Sequence, residues 1–197
     1  HQANTFKLIL REFASLDQQF VDIDARLKSI ASNGVPNYFG EQRFGHDGGN
    51  LHQAQDLIER DQLKGNRRGT GIFLSAARSW LFNLVLAERL QQNNWSQCFE
   101  HEPEPRGPLW GRGRSAASGD LELLEQAILA PWQPWCYALE HAGLKQERRA
   151  LILKPQNMHW QRLAVDQLEL CFELSGGCFA TVILREIAEL FRPPVES

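Results

Sequence analysis

Cysteine, long apolar runs and excess positive charge are all scarce in this sequence of 197 residues. Its four cysteines form no C-x-x-C pair, which argues against a zinc ribbon or a thioredoxin-like motif and favours reduced thiols in a cytoplasmic protein. No apolar run approaches the roughly 20 residues that a membrane-spanning helix needs. The formal net charge is -3, so the overall charge does not indicate nucleic-acid binding, although a local basic face is compatible with it.

Common catalytic and targeting signatures are also missing. The sequence contains no nucleophile elbow, no Walker loop and no dinucleotide fingerprint. His46 and His52 straddle a Gly-Gly turn, and surface histidines are a better interpretation than a metal pair. The polar start at His1 is unlike a signal peptide, and without an initiator Met we expect the chain to begin within a longer one.

The first half of the chain predicts one strand and three helices. Alternation over Thr5–Arg11 predicts a half-buried strand, and apolar spacing over 17–30 predicts a helix that stops at Asn33-Gly34. A second helix is predicted to begin at Gly48-Gly49. A long third helix is predicted from about Ser75 to Gln92, with Ser75 as a candidate N-cap.

The second half begins with a proline- and glycine-rich stretch, 98–120, that predicts a loop or linker. Two helices interrupted by prolines follow, and then a predicted strand over 150–153. Gln167–Leu174 alternates clearly and predicts another strand, followed by a last helix over Phe179–Leu190. This order predicts an α+β fold in which the first and last strands could pair in one sheet.

An unusual loop, Asn37–Gly45, combines asparagine, aromatic, glycine and charged residues directly after the first helix. A capping loop whose Phe39 and Phe44 fill the edge of the core would fit this pattern as well as a binding loop would. In a binding loop for RNA, an aromatic ring can stack on a base and an amide can read its Watson–Crick edge. Phe39 and Asn37 could supply these two functions.

The string GVPNYFGEQRFG, residues 34–45, resembles the signature of the TruD family of pseudouridine synthases. Three further segments resemble family segments in the same order: Asn4–Glu12, Leu74–Asn83 and Gly177–Glu186. The resemblance covers roughly residues 1–94 and 145–191 and is weak between them. It implies a pseudouridine-synthase-like mixed, largely antiparallel sheet flanked by helices, with a reduced inserted domain.

The resemblance also implies an activity, the isomerisation of a uridine in the D-arm region of tRNA to pseudouridine without metal or cofactor. Asn37 then matches a substrate-contacting asparagine, and Phe179 matches an aromatic residue near the uridine. The family's aspartate nucleophile belongs to a Lys-Asp-Arg-like motif upstream of the first strand. This sequence has no Lys-Asp pair and Asp47 does not match, so we expect the nucleophile to lie outside this chain. Whether it attacks the ribose C1′ or the base C6 stays open.

The resemblance divides the chain into three parts. Residues 1–94 would be part of the catalytic domain without its N-terminal portion, 95–137 a shortened insertion, and 138–197 a return to the catalytic domain. Gly107–Gly113 resembles one piece of that insertion. Either the insertion is reduced in this protein, or residues are missing from the sequence.

Basic residues cluster at 64–68. Alone, this cluster is typical of a solvated turn, but beside a base-binding loop Lys64, Arg67, Arg68 and Arg78 are expected to bind RNA phosphates. Arg43 could bind phosphate or pair with Glu41 to stiffen the loop, and the second is favoured.

We expect a cytoplasmic monomer that acts on tRNA, with no membrane partner. The alternative is a module that binds tRNA or another RNA without converting it.

Overall fold

The computed structural model describes residues 3–11, 17–63, 69–175 and 180–188. The strands are β1 (Ala3–Leu10), β2 (Val35–Pro36), β3 (Arg106–Leu109), β4 (Glu147–Ala150), β5 (Ile152–Leu153), β6 (Gln156–Ala164) and β7 (Gln167–Ser175). The helices are α1 (Asp17–Asn33), α2 (Gly49–Glu59), α3 (Gly71–Gln91), α4 (Gly119–Leu129), α5 (Gln133–His141) and α6 (Ala180–Ala188). Helices and antiparallel sheets confirm the α+β class.

The chain forms two compact units, one of His1–Pro36 with Leu153–Ser197 and the other of Asn37–Ile152. The first unit contains an antiparallel sheet in the order β1-β7-β6. The predicted pairing of the first and last strands is confirmed, with Phe6 opposite Phe172 and their rings stacked at 5.4 Å. Alternate residues of β7 are buried against apolar residues of α1 and α6, as a sheet with one covered face requires.

The second unit is built around α3, which contributes fully buried apolar residues, among them Leu81, Phe82 and Val85. Helices α2 and α5 contact α3 on one side, and the antiparallel β3–β4 ladder contacts it as well. Both predicted domain boundaries, at 94 and 137, fall inside this unit, and the assignment of 95–137 to an insertion stays a prediction. No helix within the described ranges is both long and apolar enough to cross a bilayer.

The structure corrects three local predictions in the second unit. Helix α3 begins at Gly71, one turn before Ser75, because Leu74 is already part of the core. Strand β3 forms within the predicted loop, since Gly107 lets the backbone lie directly against the Phe82 ring. The predicted strand over 150–153 is divided at Leu151, whose N–H donates to Pro105 O at 2.9 Å.

A buried network of charges lies inside the second unit. Arg89 is fully buried, and its Nη1 lies 3.5 Å from Glu102 Oε2. Arg148 donates to both carboxylate oxygens of buried Glu125, at 2.7 and 3.0 Å. Burial lowers the pKa of Arg89 and raises the pKa of Glu125, while the opposite charges act against both shifts.

Burial also controls the chemistry of Cys136 on α5. It raises the pKa of the Cys136 thiol to about 12, so almost none of it is thiolate at neutral pH. We therefore expect Cys136 to resist iodoacetamide in the native protein, whereas exposed Cys98 reacts. Peptide mapping by mass spectrometry after a short native labelling measures both. Equal labelling of the two cysteines would contradict this account, and labelling in denaturant provides the control for intrinsic reactivity.

Candidate functional site

The predicted binding loop lies in the second unit and has a defined backbone. It contains a short 3-10 helix, Glu41–Arg43, and turns at Gly45, whose φ of +78° favours glycine. The Asn50 side chain at the start of α2 donates to Arg43 O at 3.2 Å, and its backbone N–H donates to Phe44 O at 2.9 Å. The far end of the loop is thereby attached to α2.

Asn83, on the middle of α3, holds the backbone of Phe39. The Phe39 N–H donates to Asn83 Oδ1 at 2.9 Å, and Asn83 Nδ2 donates to Phe39 O at 3.0 Å. This reciprocal pair gives the backbone N–H and the backbone C=O of Phe39 each a partner, as a partly buried backbone requires. It fixes the loop at Phe39 to the most buried helix of the unit.

Asn37 is almost fully buried, with 4% of its surface exposed. Its N–H donates to Leu151 O and its Nδ2 donates to Ala150 O, both at 2.8 Å. Its Oδ1 accepts a hydrogen bond of 2.7 Å from Arg149 Nη2. The side-chain amide therefore uses one donor and one acceptor within the protein, which leaves a second N–H and a second lone pair for another partner.

Two guanidinium groups lie over the Phe39 ring. Arg149 Cζ is 4.2 Å and Arg43 Cζ is 5.4 Å from the centroid of the Phe39 ring. Phe82 packs edge-on against the same ring, at 5.4 Å between centroids. A guanidinium group and an aromatic ring attract each other. Together they offer flat surfaces for stacking and N–H donors for hydrogen bonds. The arrangement suits a planar, polar ligand with acceptor oxygens.

The two predicted loop-supporting residues lie in the 3-10 helix. Arg43 Nη1 donates to Ser75 Oγ at 2.9 Å, which ties the loop to the first turns of α3. Glu41 O accepts from Phe44 N at 2.8 Å and closes the turn. Their supporting function stays a prediction, but Arg43 now has a defined partner on α3.

Arg78 on α3 has a different setting from the one expected of an RNA ligand. Its Nη2 donates to Leu109 O at 2.9 Å and also to Lys145 O, and it lies 3.3 Å from Glu147 Oε2. The side chain is 15% exposed, and this burial lowers its pKa despite the Glu147 charge. These contacts connect α3 to β3 and the start of β4, so Arg78 has a structural use whether or not it also binds RNA.

The other predicted ligands cannot be placed against this loop. Lys64, Arg67, Arg68 and Phe179 lie outside the described residues. Among the residues that are described, no three His, Cys, Asp or Glu side chains are grouped so that they could hold a metal ion.

The structure adds two residues that the sequence analysis did not select, Asn83 and Arg149. Asn83 lies in the segment Leu74–Asn83, which resembles the TruD family. The sequence feature that could have identified it is an amide side chain within a largely apolar helix. Arg149 adjoins Arg148 before an apolar stretch, and nothing in that local pattern distinguishes the two arginines. The two arginines differ in their contacts in the structure: Arg148 pairs with Glu125, while Arg149 contacts Asn37 and Phe39.

Comparison with known proteins agrees with the motifs. The family model described as tRNA pseudouridine synthase D (TruD) matches residues 1–68. A tRNA pseudouridine synthase D of Cellvibrio japonicus is 44% identical in an alignment that covers 96% of this chain and 56% of the relative. One from Azotobacter vinelandii is 41% identical over 97% of this chain and 61% of the relative. The chain thus spans little more than half the length of these curated relatives.

A solved structure shares the fold. A crystal structure from Methanosarcina mazei that carries the name TruD aligns with a TM-score of 0.70 over 95% of this chain and 69% of the other. Sequence identity is only 16%, so this likeness concerns the fold alone. The family resemblance of the sequence motifs is confirmed.

Proposed function

Since this chain belongs to the TruD family, we propose that the protein isomerises a uridine of tRNA to pseudouridine. The observation that carries the proposal is the similarity to relatives named tRNA pseudouridine synthase D along nearly the whole chain. The finer proposal is a uridine in the D-arm region, as the family resemblance implies. We propose tRNA as the partner, a monomeric state and a cytoplasmic location.

The Asn37–Arg149 site, defined as Asn37, Phe39, Asn83 and Arg149, supports this function chemically. An enzyme that breaks and remakes a bond to a base must take the base out of the stack and hold it. The Phe39 ring with its guanidinium neighbours would wall the base, and the remaining N–H and lone pair of Asn37 match the donor and acceptor edge of uracil. Phe179 would add a further aromatic wall, and the 64–68 segment would hold phosphates.

The reaction breaks the C–N glycosidic bond and forms a C–C bond between the same sugar and base. We propose that the attacking aspartate lies outside these 197 residues, because the sequence contains no Lys-Asp pair. The site described here then holds and orients the base, and its rigid attachment to α3 maintains that orientation. The same missing pair favours one alternative, a module that binds tRNA without converting it.

Incubation of the gene product with an unmodified tRNA transcript tests the activity. We expect pseudouridine in the D-arm region, detected by carbodiimide labelling and primer extension. The tRNA recovered without protein is the control for background signal. Tight tRNA binding without any pseudouridine would support the RNA-binding module and overturn the enzymatic proposal.

A further inference from the structure

Arg112, Arg114 and Lys145 are exposed basic residues of the second unit, next to the β3–β4 ladder. Arg112 and Lys145 are joined by a short parallel bridge. Arg112 N donates to Leu144 O at 2.7 Å, and Gln146 N donates to Arg112 O at 2.9 Å. Bridged backbones lie about 5 Å apart, so the two cations extend from adjacent points of the surface.

Gly111 makes this close approach possible. A Cβ atom at Gly111 would lie 2.6 Å from both the carbonyl carbon and the oxygen of Lys145, closer than real Cβ atoms come. The Gly111 N–H also donates to Gln146 Oε1 at 2.7 Å. The backbone therefore fixes the points from which the two cationic side chains extend.

The three cations differ from Arg78, Arg89 and Arg148 of the same unit in having no acidic partner. Arg78, Arg89 and Arg148 each form an ion pair with a glutamate. Over the part of the chain that is described, the side chains of Arg112, Arg114 and Lys145 form no ion pair or hydrogen bond. Like charges placed opposite each other repel, and a bound anion would offset that repulsion.

Two acids near these cations, Glu140 and Glu147, have recorded partners of their own. Glu147 pairs with Arg78 at 3.3 Å. Glu140 borders an open groove of about 540 Å³ together with Arg112, and it accepts a hydrogen bond of 2.9 Å from Trp110 Nε1. The groove is thus lined by Arg112, which has no acidic partner, and by Glu140, whose carboxylate accepts the Trp110 hydrogen bond.

We propose that Arg112, Arg114 and Lys145, here called the bridge cations, bind the sugar–phosphate backbone of the substrate RNA. This proposal rests on the proposed function, which supplies tRNA as that RNA. Guanidinium and ammonium groups without partners on a rigid backbone are the donors that phosphate oxygens accept from. The contact is independent of base sequence and serves to position the RNA, in addition to the base-holding site.

Charge reversal at two bridge cations tests the proposal. We expect Arg112→Glu with Lys145→Glu to weaken binding of an unmodified tRNA transcript at least tenfold. Loss of two phosphate contacts should also reduce the slope of log K against log salt by roughly 1.4 to 1.8. Fluorescence anisotropy at several salt concentrations measures both. Because these side chains are exposed and without partners, the melting temperature should change little.

The matched control is Arg112→Lys with Lys145→Arg, which keeps both charges and should keep the wild-type salt slope. A second control, Lys28→Glu, makes a charge change on α1 of the other unit and should also leave the slope unchanged.

Two measurements on the same samples separate this proposal from the proposed function. An unchanged salt slope in the reversed variant, with pseudouridine still formed by the wild type, would overturn the bridge-cation proposal alone. A reduced salt slope in the reversed variant, with no pseudouridine formed by the wild type, would support the RNA contact and overturn the proposed activity. A wild-type protein that does not bind tRNA would overturn both.

Discussion

Replacing Glu102 with alanine should lower the free energy of unfolding by about 3 to 5 kcal/mol, the range for breaking a buried ion pair. Glu102 is the carboxylate closest to the fully buried Arg89, at 3.5 Å. Its oxygens also accept from the backbone N–H groups of Arg106, at 2.6 Å, and Phe99, at 3.1 Å. The substitution therefore leaves a buried cation without its nearest counter-ion and two N–H groups without acceptors.

Glu104→Ala is the matched control, because Glu104 pairs with Arg106 at half-exposed positions two residues away. An exposed pair of this kind should contribute about 1 kcal/mol or less. Glu102→Gln keeps an acceptor and removes the charge, so its effect should fall between the other two. Urea unfolding followed by circular dichroism measures all three. Similar losses for Glu102→Ala and Glu104→Ala would mean that the buried network does not stabilise the unit as described.

Local periodicity was sufficient to predict several elements of the fold. Strands β1 and β7 alternate strictly, and α1 repeats apolar residues at helical spacing, so each has one covered face that the sequence reveals. Strand β6 was not predicted, because all of its residues are exposed or half-buried and it has no regular row of buried apolar residues. Its pairing with β7 also contains two register shifts, which break any regular alternation.

The candidate site was only partly predictable for a related reason. Asn37 and Phe39 lie in a loop whose composition is itself unusual, so the sequence directed attention to them. Asn83 and Arg149 are 44 and 112 residues away from their loop partners, and no local pattern encodes such contacts. Arg78 shows the reverse case, since proximity in sequence to the basic cluster suggested RNA binding, while its described contacts are with Leu109, Lys145 and Glu147.

The contacts of Asn37 with Arg149 lead to the second large expected effect. Asn37→Ala and Arg149→Ala should each lower kcat/KM for pseudouridine formation by about 100-fold, the scale on which small misplacements of a reacting group act. The double variant should lose little more than the more damaging single variant. The reason is that Asn37 Oδ1 accepts from Arg149 Nη2 at 2.7 Å, so one substitution removes the guanidinium over Phe39 and the other removes the amide that holds it there.

Arg149→Lys keeps the charge but loses the planar group that stacks on Phe39, so it should recover binding of tRNA more than the catalytic rate. Asn33→Ala is the matched control for Asn37→Ala, because Asn33 is exposed and its side chain hydrogen-bonds, among the described residues, only to the nearby Ser29, at 3.3 Å. It should leave kcat/KM unchanged. Steady-state kcat/KM gives the overall effect, and single-turnover rates with the enzyme in saturating excess over tRNA, with a melting temperature for each variant, separate positioning from loss of fold. If the fold-losses of Asn37→Ala and Arg149→Ala multiplied in the double variant, the two residues would act independently. That result would contradict the coupling inferred from their hydrogen bond.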